Sequence, residues 1–444
     1  MIIYSNFNHQ REVEYLSLIS RIPPLDLLYC REMTRPIIES HLIDANNLDL
    51  SIKGHIDAIN SRRPTYVVFS CDVFSVQTAK QVIKGLQDIR IIMVGMFPTT
   101  NPDYCFKELG ADLVIRGEPE EGMELIAKKG LGARGKGICQ KEHTIRPHHM
   151  KDLDTLPIPA RDEQYRYKNP FSENITVMKV HRGCPYQCSF CDAHNMFGKR
   201  LRSRSTQHII KEIEYCISQG IRFIAFLDHT FTDSKKTEEL CKEIIRRDLR
   251  FNWIAMSRTD RVNKRLLRIM KKAGCVMLGY GIETYEKESL AKTKQLKIKT
   301  IKKALKQTRE AGILTMGYAI IGFPDDTRRT IERRGEDIMH LDLDFLQITF
   351  ATPLPGTRLC SQYNIPDDFS DYRFLKVPLI NNHMTRDELL GLRDQIYKIF
   401  YLNPLRGIAR VNRLIKTKGV SKKQLTKTTL RLTARLFAGN SGKT

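Results

Sequence analysis

Three of the chain's eleven cysteines are crowded into eight residues, in the segment HRGCPYQCSFCDAH that runs from His181 to His194. The spacing Cys184-x3-Cys188-x2-Cys191 wraps three thiolates around one side of a compact loop. Three thiolates can hold three irons of a 4Fe–4S cubane and leave the fourth iron open to a small-molecule ligand, whereas structural iron–sulfur sites normally use four cysteines. The missing fourth ligand points to a reactive cluster. A second reading is zinc in a Cys3His site, with His194 three residues after Cys191. Against it, zinc knuckles begin with Cys-x2-Cys pairs, and no usual second pair lies nearby.

The cysteines do not form a disulfide framework. The chain's total of eleven is odd, and Cys30, Cys105, Cys216, Cys241 and Cys275 each stand alone in periodic apolar segments. This usage fits a reducing compartment. The opening residues MIIYSNFNHQREVEY lack the apolar core of a secretory signal, and no apolar run reaches membrane-spanning length, so a cytoplasmic location is expected. With 41% apolar and 28% charged residues in 444, the chain is globular and long enough for about three domains.

Lys and Arg outnumber Asp and Glu 73 to 50, a net charge of +23. The excess is uneven, because no acidic residue follows Asp394 while 12 Lys and Arg do. Such a tail is either a solvated helical face or a contact for an anionic partner. In QLTKTTLRLTARLF, Leu425, Leu432 and Leu436 could share an apolar face, with Lys427, Arg431 and Arg435 away from it. That pattern predicts peripheral contact with an anionic membrane.

The elements that position the cysteines follow from periodicity. Residues 1–128 alternate strand-like runs (IIYSN, HLIDAN, YVVFSC, IIMVGM, ADLVIRGE) with helical stretches such as VQTAKQVIKGLQ. This predicts an α/β unit, a Rossmann-like open parallel sheet that binds ligands at the carboxyl ends of its strands. Neither GxGxxG nor GxxxxGK[ST] follows the first strand, which argues against the common dinucleotide and triphosphate sites. Residues 129–170 read as a hairpin and a linker punctuated by Pro157 and Pro159. From 171 to 360 six βα units follow (ITVMKVH, IRFIAFLD, FNWIAM, CVMLGYGIE, ILTMGYAIIG, FLQITFA), which predicts a partial (β/α)6 barrel with its chemistry at the C-terminal strand ends. Asp233 reads as an N-cap and Gly220 as a helix-ending C′ residue. Residues 361–444 read as a helical, basic extension, with a Thr385–Glu388 capping box and a stop at Pro404.

GCPYQCSFC ahead of such a barrel resembles the radical S-adenosylmethionine (SAM) superfamily. The resemblance implies that Cys184, Cys188 and Cys191 bind a 4Fe–4S cluster whose open iron chelates SAM, with Phe190 packed near the adenine. It places Glu283 of GYGIE on the SAM ribose and Gly322 and Pro324 of the Gly-Phe-Pro turn beside the adenine. Asp228 and His229 of FLDHTFTDSK are expected to point into the barrel mouth, His229 as a proton donor or as a hydrogen-bonded filler. Arg258 is expected to pair with the SAM carboxylate or a substrate acid, or else to form a surface ion pair. TPLPGTRL resembles the family's turn after the sixth strand.

The N-terminal unit resembles the cobalamin-binding domain fused to many members. The expected contacts are Ser70, Cys71 and Asp72 after the third strand and Gly95 and Thr99 after the fourth, with the corrin facing the barrel mouth. The chain lacks Asp-x-His-x-x-Gly, and it has Val94-Gly95-Met96-Phe97-Pro98-Thr99 where relatives often show Gly-Gly-x-His-Pro-Thr; a support-only domain is the other reading. The resemblance implies methyl transfer to an unactivated carbon, or cyclisation, of a small-molecule or lipid-like substrate, with an electron donor such as flavodoxin or ferredoxin. One alternative is methylthiolation of tRNA or protein, for which Cys30, Cys71 and Cys105 could supply a second cluster. Another is a nucleic-acid-binding protein with a zinc knuckle, which leaves the six βα units unexplained; nucleic acid is not the expected partner.

Overall fold

The computed structural model describes residues 1–7, 23–161, 167, 174–232, 235–283, 296–363, 369–372 and 380–417. Asp233 and the tail residues Leu425 to Leu436 lie outside them.

The first sheet contains β1 (Ile2–Asn6), β2 (Ser40–Asp44), β3 (Tyr66–Ser70), β4 (Arg90–Val94), β5 (Leu113–Ile115) and β6 (Ile138–Cys139), in the order β2-β1-β3-β4-β5-β6. The first five are parallel. Both faces are covered, as parallel sheets require: Ile3, Val67 and Phe69 pack on one side, Ile2, Tyr4 and Val68 on the other. β6 runs antiparallel to β5, with Val114 opposite Cys139. The stretch read as a hairpin, which carries antiparallel bridges at Gly135–Ile138 and Gln140–His143, also adds a strand to the first sheet, because the edge left open by β5 is a ready template for pairing.

The second unit begins with β7 (Ile175–Met178). The short ribbon β8 (His181–Arg182) and β9 (Arg202–Ser203) brackets the cysteine loop. β10 (Phe223–Phe226), β11 (Asn252–Ser257), β12 (Cys275–Glu283), β13 (Leu314–Ile321) and β14 (Phe345–Phe350) complete a six-stranded parallel sheet in the order β14-β13-β12-β11-β10-β7. This is a partial barrel. Its inner face is filled by Ile175, Val177, Phe223, Ala225, Ile254, Met277, Leu314 and Met316. Its outer face packs against the helices through Met178, Phe226, Trp253 and Leu278. Trp253 is fully buried, and its indole N–H donates to the Ala273 carbonyl at 2.7 Å.

Gly220 ends the helix Thr206–Ser218 with φ +75°, and the Thr385–Glu388 capping box opens the helix Arg386–Leu402. Pro404 stops that helix and becomes the first residue of the next, Pro404–Lys416, which Asn403 caps. Among the described residues no helix is long and apolar enough to cross a membrane.

The two sheets meet end to end. Arg182 of β8 pairs with Glu120, its Nη1 donating at 3.1 Å, and Arg202 of β9 donates to Glu118 at 2.9 Å; both glutamates follow β5 and both are fully buried. The helix Met96–Thr100 after β4 packs against the helix Ala193–Phe197 after the cysteine loop. The carboxyl ends of the first sheet thus face the mouth of the barrel.

Candidate functional site

The cysteine loop is held from several sides. Gly183 has φ +87°, and a Cβ there would overlap the Arg200 carbonyl oxygen, so the residue before Cys184 has to be glycine. Cys184 N–H donates to the Gly198 carbonyl at 3.2 Å and Cys191 N–H to the Cys188 carbonyl at 3.3 Å. The turn after β14 closes the loop: Leu359 N–H donates to the Ser189 carbonyl at 2.9 Å and Arg358 to the Gln187 carbonyl at 2.8 Å. TPLPGTRL is therefore the far wall of the cysteine loop.

Burial pushes the Cys191 thiol up to about 12, with Asp192, Cys188 and Cys184 adding to the rise. Such thiols ionise only against concentrated positive charge, which an iron cluster or a metal ion supplies. Among the described residues no three His, Cys, Asp or Glu side chains converge on a point that one ion could occupy. Three thiols on this loop, one for each of three irons, suit a 4Fe–4S cluster by their donor chemistry and leave the fourth iron open.

Phe190 and the Gly-Phe-Pro turn come together. Phe190 meets Phe323 edge to face at 6.4 Å, in an apolar cluster with Ala351 and Leu359. Gly322 has φ +81°, and Asp326 locks the turn by accepting from Gly322 N–H at 2.8 Å and Phe323 N–H at 3.0 Å. Arg334 holds Asp326 in place, Nη2 to Oδ1 at 2.6 Å. Pro324 follows, half-buried. Glu283 ends β12 at a register shift, with φ +49° and little exposure. A non-glycine residue in that conformation is uncommon and marks a constrained position.

Asp228 does not point into the mouth. Its carboxylate accepts from Val180 N–H at 3.1 Å and from His181 N–H, bracing the segment that leads into the cysteine loop. The reason is strand alternation: Ala225 faces the barrel interior and Phe226 the helices, so Asp228 continues the outer row and His229 the inner one. His229 is exposed at the mouth, its ring 5.2 Å from that of Phe197. Arg258 is no surface residue. It is 4% exposed, grips Asp260 through Nε at 2.9 Å and Nη2 at 3.1 Å, and stacks on Tyr186 of the cysteine loop.

On the first domain, Ser70, Cys71, Asp72 and Gly95 gather at the ends of β3 and β4. Gly95 has φ +107°, and a Cβ there would come within 2.8 Å of the Cys71 carbonyl. Cys71 and Thr99 are turned inward, each 1% exposed. Thr99 Oγ1 donates to the Gly95 carbonyl at 2.7 Å and accepts from Gly117 N–H at 3.0 Å, so both residues shape the shelf rather than present groups on it. Ser70 and Asp72 are half-buried at its surface, and Asp72 helps raise the Asp192 carboxyl, after burial itself, to about 6. Cys30 packs on the face of the first sheet opposite to Cys71 and Cys105, so the three do not form a second cluster site.

A family model described as the radical SAM superfamily matches residues 178–338. The chain is 31% identical over 416 residues to an uncharacterized methyltransferase of Pyrococcus horikoshii, covering 86% of this chain and 88% of that one. This chain belongs to the radical SAM superfamily. As a radical SAM enzyme it has 4Fe–4S and SAM as its cofactors. It is also 25% identical to the anaerobic magnesium-protoporphyrin IX monomethyl ester cyclase of Cereibacter sphaeroides, over 82% of this chain and 64% of that one. Its fold is similar to that of the radical SAM methyltransferase TsrM from Kitasatospora setae, a structure with cobalamin and a 4Fe–4S cluster bound, at a TM-score of 0.66 and 18% identity, covering 81% of this chain and 76% of that one.

Sequence reasoning missed Tyr186, Arg261, Asp326, Arg334 and Lys179. Tyr186 sits between Cys184 and Cys188, and its place inside the cysteine motif was the only signal that could have found it. Lys179 was legible only as the inward continuation of β7.

Proposed function

We propose that this radical SAM enzyme is a cobalamin-dependent methyltransferase in which Cys184, Cys188 and Cys191 hold the cluster. Phe190, Gly322, Pro324 and Glu283 line the SAM site, and Ser70, Asp72 and Gly95 form the cobalamin shelf. The observation that carries the reading is the end-to-end meeting of the two sheets: Thr100 of the first domain lies against Asn195 and Gly356, next to the cysteine loop. When bound, SAM at the cluster would supply hydrogen abstraction and methylcobalamin a methyl group. The chain's own part is to bring both sites to one enclosed cleft and keep water out. The order of the first sheet reverses between β1 and β3, the usual ligand crevice of an open α/β sheet, and the Ser70–Asp72 loop lies there. Tyr186 and Arg258 brace the cysteine loop, and Asp326 fixes the turn beside Phe190.

Reduction of the cluster requires a one-electron donor such as flavodoxin or ferredoxin. The basic tail contacts an anionic membrane; exposed Ile408 and Val411 on the helix before it support this. Deleting 418–444 is expected to abolish cosedimentation with phosphatidylglycerol vesicles at low salt, and unchanged sedimentation refutes the contact.

The deciding experiment is anaerobic purification and reconstitution, with iron and cobalt quantified and products measured on candidate substrates. Methyl transfer by this class yields 5′-deoxyadenosine and S-adenosylhomocysteine together. Deoxyadenosine without homocysteine product, in cobalamin-loaded enzyme acting on its substrate, replaces methyl transfer by cyclisation or dehydrogenation.

A further inference from the structure

The barrel interior changes character along its axis. Ile175 and Val177 of β7 and Phe223 and Ala225 of β10 belong to its apolar filling. The same two inward rows end in Lys179 and His229. Lys179 Nζ donates to Asp26 Oδ1 at 2.9 Å and contacts Oδ2 at 3.3 Å. Asp26 lies on the helix Leu25–Thr34 of the first domain, so this ion pair spans the gap between the two units.

The pair differs from the closed ones beside it. Arg182 and Glu120 are 2% and 0% exposed, whereas Lys179 and Asp26 keep 12% and 25% and His229 is exposed. Solvent therefore reaches this group, as a ligand could. An ammonium has three donors, of which Asp26 takes at most two. Its charge lies 4.4 Å from the Phe197 ring centroid, and His229 flanks the same ring. A neutral imidazole at His229 offers one N–H donor and one acceptor. Arg182 approaches Asp26 at 3.8 Å but is matched by Glu118 and Glu120.

A spare ammonium donor and an imidazole N–H beside an aromatic wall suit one carboxylate on an apolar skeleton. A phosphate dianion would need more positive charge than one shared lysine, and an amine would have to displace Lys179 from Asp26. We propose that Lys179 and His229 bind a carboxylate of the substrate at the barrel mouth, with Phe197 against the adjoining carbon skeleton. Naming the ligand a substrate rests on the radical SAM reading; the binding site does not.

The probes are phenylacetate and phenylacetamide, titrated calorimetrically into the cluster-loaded protein. Phenylacetate is expected to bind about tenfold more tightly, the scale of one charge-assisted hydrogen bond. Lys179→Met should erase the preference. Asp26→Asn, which frees the ammonium, should strengthen phenylacetate binding. A purely structural ion pair predicts loss in both variants, so opposite signs are diagnostic. Should Lys179→Met fail to fold, His229→Leu should reduce the preference several-fold. Equal affinity for the two probes in the native protein, or a preference that survives Lys179→Met, overturns the proposal. Intact preference in a protein that never cleaves SAM would retain the site and remove the enzyme reading.

Discussion

Arg258 sits over the Tyr186 ring, its guanidinium carbon 3.6 Å from the ring centroid. The stack ties the end of β11 to the loop between Cys184 and Cys188, and Arg261 Nε donates to the Tyr186 hydroxyl at 2.5 Å. One tyrosine is thus gripped by two guanidiniums, one of them shielded from water, where a cation–π contact contributes about 2 kcal/mol. Tyr186→Leu is expected to leave the fold intact and lower iron retention after reconstitution, while Tyr186→Phe, which keeps the stack, retains most of it. Iron per chain and visible absorption are the measurements. Equal iron in Tyr186→Leu and native protein would remove the bracing role.

Gly183→Ala should be among the most damaging single changes near the site. It combines a positive φ with direct overlap of the Arg200 carbonyl, and neither can relax without moving Cys184. The expected outcome is loss of cluster assembly, together with destabilisation of about 1–3 kcal/mol from the backbone strain. Denaturant unfolding and iron content test the two parts separately.

Asp228 predicts a pH effect of definite sign. Burial, outweighing its two backbone donors and the attraction of Lys179 and Arg204, pushes its pKa from 3.8 to about 7. The folded state therefore holds a proton that the unfolded state releases above pH 4. Stability from this group is complete below pH 4 and declines as pH rises toward 7. Asp228→Asn should flatten the pH dependence of unfolding over that window, because the amide oxygen can still accept from Val180 and His181. Asp228→Ala leaves those N–H groups without an acceptor and should cost about 1–3 kcal/mol for each. An unchanged pH profile in Asp228→Asn would show that the carboxyl titrates elsewhere.

The contact between the two sheets rests on buried ion pairs. Glu120→Gln removes the nearer partner of Arg182, which is 2% exposed, but leaves Glu118 at 3.4 Å, so the cost is expected to fall below the ~3–5 kcal/mol of a fully broken buried pair. Unfolding midpoints of Glu120→Gln, Arg182→Met and the double variant test this. The double variant should recover part of the loss, because it removes both halves of the pair together.

Much of this was legible locally. The three cysteines and the Thr385–Glu388 box are spacings of two to four residues, and the six βα repeats are periodic patterns along the chain. Phe190 and the Gly322–Pro324 turn were assigned separately to one adenine site, and they meet across Phe323. The direction of Asp228 was open to the same alternation rule but required knowing which face of β10 is the interior. That face is defined only when Phe223 and Ala225 pack with Ile175 and Val177.

The sequence by itself determined the family, because the cysteine spacing and the six βα units are local patterns, and a radical SAM model matches residues 178–338. Tertiary structure decided which charges share the mouth. Asp26 and Lys179 stand 153 positions apart, and nothing local in either segment pairs them. They meet because the carboxyl ends of two sheets are pressed together by Arg182, Arg202, Glu118 and Glu120, and a contact that depends on how two finished sheets dock is written in no periodicity.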